Sequence, residues 1–517
     1  MNRAVFVMVG SLVALVALVL LLPSDSARRP IAQSRQATQG QSSEDEALTI
    51  YCAAANRAVM EAIRTDYEAE FGVALKVQYG ASQTLLSNLE IGGTADLYLP
   101  ADDSYLAAAR HKGLVDEVLP VAEMQAVLAV PKEAAVDLPG LDALLASSAR
   151  IVQANPEAAA VGKLTRDVLT AQGKWEALAA RTQSFKGTVH EVANDVQIGA
   201  ADVGIVFDAV LHTIPQLKAV PLPELAEAKA RIAVGVAAST AQPQRALHFA
   251  RYLSAPEKGQ RRYEEYGYRP LPGDPWADTP ELTLYAGAML RPAIEQTLRE
   301  FEEREGVRVV RKYNGCGILV AQMRAGEVPD AYFACDSEFM QQVRDLFPTP
   351  ADVSQNELVI LVPKGNPKRI ASLRDLTRPG LRVGIGHEKQ CAMGWLTQRT
   401  LRESGVQADV MNNVIVQSPT GDMLVNQMQT GSLDAAVAYL SNAAGAAQFL
   451  DAVRIQGIPC SIATQPYAVA RSARYPQLAE RLLARLRSAA SEKQFTQLGF
   501  AWIAHSAGKA LAVDVER

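Results

Sequence analysis

Cysteine and histidine are scarce in this chain, and aromatic residues make up 6% of it. Five cysteines and six histidines in 517 residues exclude a disulfide-dense secreted scaffold, and no two histidines fall at metal-ligand spacing. Lys and Arg never form a run longer than a few residues. The 51 of them face 56 Asp and Glu, so the basic footprint that nucleic acid demands is missing. No G-x-S-x-G, H-E-x-x-H or Walker-type loop is present, which leaves no enzyme class to argue for. Past residue 22 no stretch holds 18 continuous apolar residues, so only the N-terminus reads as a membrane segment. What is present is core: 49% of residues are hydrophobic and 21% charged, enough for about three folded domains.

The start of the chain reads as an export signal. Met1–Arg3 is basic and Ala4–Leu22 is apolar except for Gly10 and Ser11. That run suits a spanning anchor and is long for a cleaved signal, although Ser24 and Ser26 permit cleavage. Residues 1–23 are therefore expected to be a signal anchor or signal peptide. No cysteine follows to carry a lipid. Residues 24–46, rich in Ser, Gln and charge, are expected to be a disordered tether. Either way the bulk of the chain is exported, to the periplasm or the outer face of the cytoplasmic membrane.

The remainder is written twice. Leu48–Val59 reads LTIYCAAANRAV and Leu282–Ala293 reads LTLYAGAMLRPA. Tyr51 and Tyr285, Tyr79 and Tyr313, Asp96 and Asp330, and Asp102 and Asp336 all differ by 234; Pro131 and Pro363, Gly162 and Gly394, and Asp202 and Asp434 differ by 232. An offset so constant marks a tandem duplication, with domains at 47–275 and 281–510. Its period is far too long for a solenoid. Within a copy, apolar strands (Leu48–Ala53, Leu75–Tyr79, Asp96–Leu99) alternate with helical spacing (Asn56–Phe71, Thr84–Ile91), which predicts an α/β fold on a largely parallel sheet. Ligands in such sheets sit at the carboxyl ends of strands, where helix N-termini offer free N–H groups. The turn Gly80–Thr84 is placed to open a helix. Simple capping by Ser82 and Thr84 is the competing reading there.

Each copy resembles the periplasmic solute-binding proteins of the molybdate/tungstate type. The matching segments are YCAAAN, the YGAS turn, EIGGTADLYLPADDSYL, LAVPK, QANPEAAAVGKL, GAADVGIVF and the late ALHFARYLSAPEKGQRRYEEYGY. The resemblance implies a type II periplasmic-binding fold with two hinged lobes per copy. LAVPK and ARIAVGVA would be the crossing strands, and an oxyanion would be held by neutral donors for delivery to the permease of an ABC importer. In copy one the matched positions are Ala55 where a serine is usual, Ser82, Ala101 and Ala159 as backbone donors, and Phe207 where a tyrosine is usual. Two side-chain donors are thus missing.

Copy two carries Met289, Cys316, Cys335, Cys391 and Tyr439 at the same positions, with His387 and Met393 beside the third cysteine. Thiolate and thioether groups suit soft or borderline metals. Three readings stay open: a disulfide or redox pair, most simply Cys316 with Cys335; a soft-metal site at Cys316, Cys335 and Cys391; or reduced cysteines around an oxyanion. Cys52 and Cys460 read as buried fillers, and the charged stretch Arg299–Arg311 as a solvated helix face. The competing functional class is a non-transporting sensor or partner-binding module. No cofactor is expected beyond a bound oxyanion or soft metal ion.

Overall fold

The computed structural model describes residues 47–134 and 138–504. The expected anchor (1–23) and tether (24–46), and the last residues of the second expected domain, lie outside these. Among the described residues no helix is long and apolar enough to cross a membrane.

Among the described residues the first copy holds ten strands: β1 (Leu48–Ala53), β2 (Leu75–Gly80), β3 (Leu97–Leu99), β4 (Val115–Pro131), β5 (Ile151–Ala154), β6 (Thr182–Lys186), β7 (Val203–Phe207), β8 (Leu217–Val220), β9 (Lys229–Ala237) and β10 (Arg269–Pro270). The second repeats them as β11 (Glu281–Gly287), β12 (Arg308–Asn314), β13 (Ala331–Phe333), β14 (Ala351–Pro363), β15 (Val383–Gly386), β16 (Val414–Ser418), β17 (Ala435–Tyr439), β18 (Leu450–Arg454), β19 (Ile462–Val469) and β20 (Ala501–Trp502). Strand orders are β2-β1-β3-β9-β4-β7-β5-β6 and β12-β11-β13-β19-β14-β17-β15-β16, the same path twice. The sheets are mixed, not largely parallel. β1 pairs β2 and β3 in parallel and β5 pairs β6 and β7 in parallel, but β4 runs antiparallel to β7, β8, β9 and β10.

That antiparallel strand divides each copy into two lobes. Val115–Gln125 pairs with β9 in the first lobe, and Ala126–Pro131 pairs with β7 and β8 in the second. Neither expected segment itself makes the crossing: LAVPK pairs wholly within the second lobe and ARIAVGVA wholly within the first. The crossing itself falls at Gln125. Its side chain donates to the carbonyls of Leu225 (2.5 Å) and Ala228 (3.4 Å) on the segment that leads back into β9.

Helices pack on these sheets by apolar spacing. Arg57–Phe71 buries Val59, Met60, Ile63 and Tyr67 along one face. It ends at Gly72, whose φ of 68° carries the left-handed turn that returns the chain to β2. Its counterpart Arg291–Glu305 ends the same way at Gly306. The charged end of this second helix is not solvated, contrary to the sequence reading. Glu305 is 1% exposed and accepts from Arg481 at 2.7 and 3.0 Å. Arg251 of copy one reaches the same carboxylate at 3.5 Å and also donates to the Glu305 carbonyl. Arg304 closes on Glu117 at 2.5 and 2.9 Å. Buried charge thus joins the first lobes of the two copies.

Candidate functional site

In copy one, the turns that follow β1, β2, β3, β5 and β6 all open onto one cleft of about 250 Å³, open solvent included. Its wall holds Ser82, Ala101, Ala159 and Phe207 together, with Ala55 and Thr188 beside them. Three helices point their first turns at this space: Ser82–Glu90 from the first lobe, and Ala160–Ala171 and Val189–Gln197 from the second. First-turn N–H groups have no partner within their own helix, and no charged side chain belongs to the wall.

Ser82 is not a helix cap. It is the first helical residue, 1% exposed, and its Oγ accepts the N–H of Ala101 at 3.1 Å. That bond ties the turn after β2 to the turn after β3. The lobes touch as well: Gln83 N–H donates to the Ala158 carbonyl at 3.1 Å, a clasp across the cleft. Gly162 seats the helix against its strand, since an added Cβ would stand 2.3 Å from the Ala154 carbonyl oxygen.

Copy two repeats the plan with other side chains. Met289, Cys335, Cys391, Met393 and Tyr439 line a cleft of about 270 Å³, again with no charged residue in the wall. Cys316 lies just behind them, fully buried, and its Sγ accepts the N–H of Cys335 at 3.1 Å just as Ser82 accepts that of Ala101. The clasp recurs as Gly317 N–H to the Gln390 carbonyl at 3.0 Å. Gly394 repeats Gly162, with an added Cβ 2.4 Å from the His387 carbonyl oxygen.

All five cysteines are free, so the expected disulfide is absent. Cys316 and Cys335 meet through a backbone N–H and hold both sulfurs at the end of β11, where an added Cβ on Gly287 would lie 1.9 Å from one and 3.1 Å from the other. Nor do the three cysteines form a metal cage: among the described residues no group of three His, Cys, Asp or Glu is placed to hold a metal ion. The reason is orientation. Cys391 belongs to the second lobe and turns its thiol to that lobe's carbonyls, His387 at 3.7 Å and Ser418 at 3.6 Å. His387 stays out of the cleft wall, its Nδ1 accepting the N–H of Lys389.

Hydrogen bonding to Cys316 together with burial raises the Cys335 thiol well above its ordinary range, and burial pushes Cys391 up to about 11. Cys316 is pushed up by burial too, but the side-chain and N–H donors of Cys335 outweigh that and hold it below its ordinary value. Of the two remaining cysteines, Cys52 is the expected filler in β1, but Cys460 sits half-exposed in a turn, 3.8 Å from the Thr400 hydroxyl.

Sequence reasoning missed the layer beneath copy two's cleft. Ser354 donates to Gln465 (2.8 Å), and Gln465 donates to the Cys335 carbonyl (3.1 Å). Asn356 is buried beside them with its amide unpartnered. In copy one the matching strand positions hold Ala122, Met124 and Ile232. The 232-residue offset already pairs Met124 with Asn356, so the signal was there. Tyr439 is 2% exposed and its hydroxyl is also unpartnered.

Comparison with known proteins shows the family. The molybdate-binding protein ModA of Mycobacterium tuberculosis is 30% identical over 234 residues, covering 44% of this chain and 88% of that protein. A putative binding protein of Haemophilus influenzae is 26% identical over 228 residues, covering 43% of this chain and 90% of its own length. Among solved structures, the periplasmic molybdate-binding protein of Azotobacter vinelandii aligns at 22% identity and a TM-score of 0.39, covering 44% of this chain and 99% of that one. The pattern of the bacterial extracellular solute-binding protein family matches residues 48–269 and again residues 282–501. The chain therefore belongs to that family of solute-binding proteins, and carries its domain twice in tandem.

Proposed function

We propose that this protein captures a small oxyanion of the molybdate or tungstate kind outside the cytoplasm and hands it to the membrane subunits of an ABC importer. One observation carries the reading: in both copies helix N-termini from two lobes meet on a small cleft whose wall has no charged side chain. Oriented N–H groups hold a desolvated anion there without burying a counter-charge. Lobe closure follows from differential affinity, because the ligand touches both lobes only when they meet. The apolar run Ala4–Leu22 serves as membrane anchor in this proposal, with residues 24–46 as the tether.

Copy one lacks the phenol donor, since Phe207 stands where copy two has Tyr439, and at the Ala55 and Met289 positions neither copy supplies a side-chain donor. Each donor lost to a buried charge costs on the order of 1.5–3 kcal/mol. Thermal unfolding of the protein with molybdate, tungstate and sulfate tests the reading. Ligand at about 100 times its Kd should stabilise the copy that binds it by about 2.7 kcal/mol. No shift with any of the three anions ends it. The sulfur atoms of copy two favour a second reading for that cleft alone, in which its ligand differs from that of copy one.

A further inference from the structure

We propose that the seam between the two copies holds a further binding site, separate from both clefts, for a small aromatic carboxylate. A groove of about 790 Å³, open solvent included, runs along this seam. Its wall takes Tyr67 and Phe71 from one helix of copy one, His248 and Arg251 from another, Thr279 from the connection and Gly306 from copy two. The wall is complete only when both copies are present. The groove is roughly three times the size of either cleft, at 250 and 270 Å³, and falls in the range of small-molecule sites, which favour domain interfaces.

Arg251 supplies the anchor. It is 7% exposed, and only its Nη1 is engaged, by the carbonyl and the carboxylate of Glu305. Nε and Nη2, which form the side edge of the guanidinium, have no hydrogen-bond partner. That edge is the one Arg481 turns on Glu305, and Arg304 on Glu117, with two bonds each. A carboxylate matches such a fork with two parallel N–H···O bonds. Donors left unsatisfied in a buried place are costly, so a carboxylate that reaches the fork of Arg251 from the groove relieves that cost.

The rest of the wall sets charge and shape. Asp278 is engaged elsewhere: it lies 2.8 Å from His248 Nε2, and His248 Nδ1 lies 2.7 Å from the Tyr67 hydroxyl. Arg245 adds a second guanidinium, so two cations face one carboxylate and the groove favours an anion. The rings of Tyr67 and Phe71 stand 4.8 Å apart, and Trp276 backs Phe71 at 5.8 Å. An aromatic ring on the ligand packs against them in an offset or edge-to-face arrangement. A ring bearing a carboxylate satisfies both the aromatic wall and the fork, whereas an inorganic oxyanion leaves the aromatic wall bare.

The test is calorimetric titration of the full chain with benzoate, with benzamide as the same shape without the charge and acetate as the same charge without the ring. Wild type is compared with Thr279→Trp and Arg251→Lys. Thr279 is exposed on the connection, so tryptophan there blocks the groove and leaves Glu305 and its arginines untouched. Lysine keeps the charge of Arg251 and removes its fork. Wild type should bind benzoate at least tenfold tighter than benzamide or acetate, and each variant should lose at least tenfold in benzoate affinity. Should Arg251→Lys fail to fold, Thr279→Trp and the comparison with benzamide decide. Absence of saturable binding up to about 10 mM benzoate, equal affinity for benzamide, or benzoate binding that survives either folded variant overturns the inference. Oxyanion binding by the clefts should be the same in wild type and Thr279→Trp, so none of these outcomes bears on the proposed function.

Discussion

At the scale of single residues, substitution on an unchanged frame accounts for the differences between the copies. Ser82 and Cys316 make the same 3.1 Å bond to the N–H of the next turn, so the exchange of oxygen for sulfur alters chemistry without altering geometry. Tyr439→Phe reproduces the side chain of copy one and removes an unpartnered buried hydroxyl. It should leave the melting temperature unchanged or higher and weaken anion binding by copy two about tenfold, checked by melts and titration together. Asp336 beside this cleft carries a pH signature. Burial lifts its carboxyl from 3.8 to about 6, so the folded state keeps a proton that the unfolded chain releases. Its contribution is most favourable below the unfolded value and declines as pH rises to about 6, by on the order of 2–3 kcal/mol in all. Asp336→Asn retains an acceptor for the Glu338 N–H, now 2.8 Å away. The variant should gain on wild type as pH rises from 4 to 7 in thermal melts, and parallel curves would refute the assignment.

At the scale of elements, the cleft depends on how closely helix N-termini approach strand ends and the facing lobe. Gly317 opens its helix against the other lobe, where an added Cβ would lie 2.0 Å from the Lys389 carbonyl oxygen. Gly317→Ala should therefore hold the lobes of copy two apart. We expect its anion affinity to fall at least tenfold with a stability loss of about 1–3 kcal/mol, read by titration and by melting without ligand. Loss of stability with full affinity would show that the clasp is incidental to capture. The strands that carry these turns were legible from apolar runs, and the repeat offset located the turns themselves. The mixed sheet was not, because alternation of strands and helices does not say which long strand runs backwards across both lobes.

At the scale of the whole molecule, the two copies are joined by charges that the sequence presented as surface. Glu305, Arg481 and Arg251 form a buried triad. Desolvation lowers Arg251 to about 10 even with Glu305 beside it. Removing one partner of such a group strands the others, at a cost of about 3–5 kcal/mol. Glu305→Ala should accordingly lower the melting temperature and split unfolding into two calorimetric transitions, one per copy. A single transition at the wild-type temperature would mean that the triad does not couple them.

The duplication and the α/β class followed from sequence alone, and the repeat offset nominated residues that the fold places in or behind each cleft. A constant offset transfers each turn of one copy onto the other, and apolar runs mark buried strands whatever their neighbours. Contacts between segments far apart in the chain were decided only by the tertiary structure. Sulfur chemistry in the sequence was compatible with a bridge, a metal or an anion; the structure leaves all five cysteines free and, among the described residues, groups no three ligands for a metal, with the Cys391 thiol turned to the carbonyls of His387 and Ser418. Likewise a glutamate at a helix end reads as solvated until a second domain is folded against it, since burial is a property of what packs on a residue and not of the residue itself.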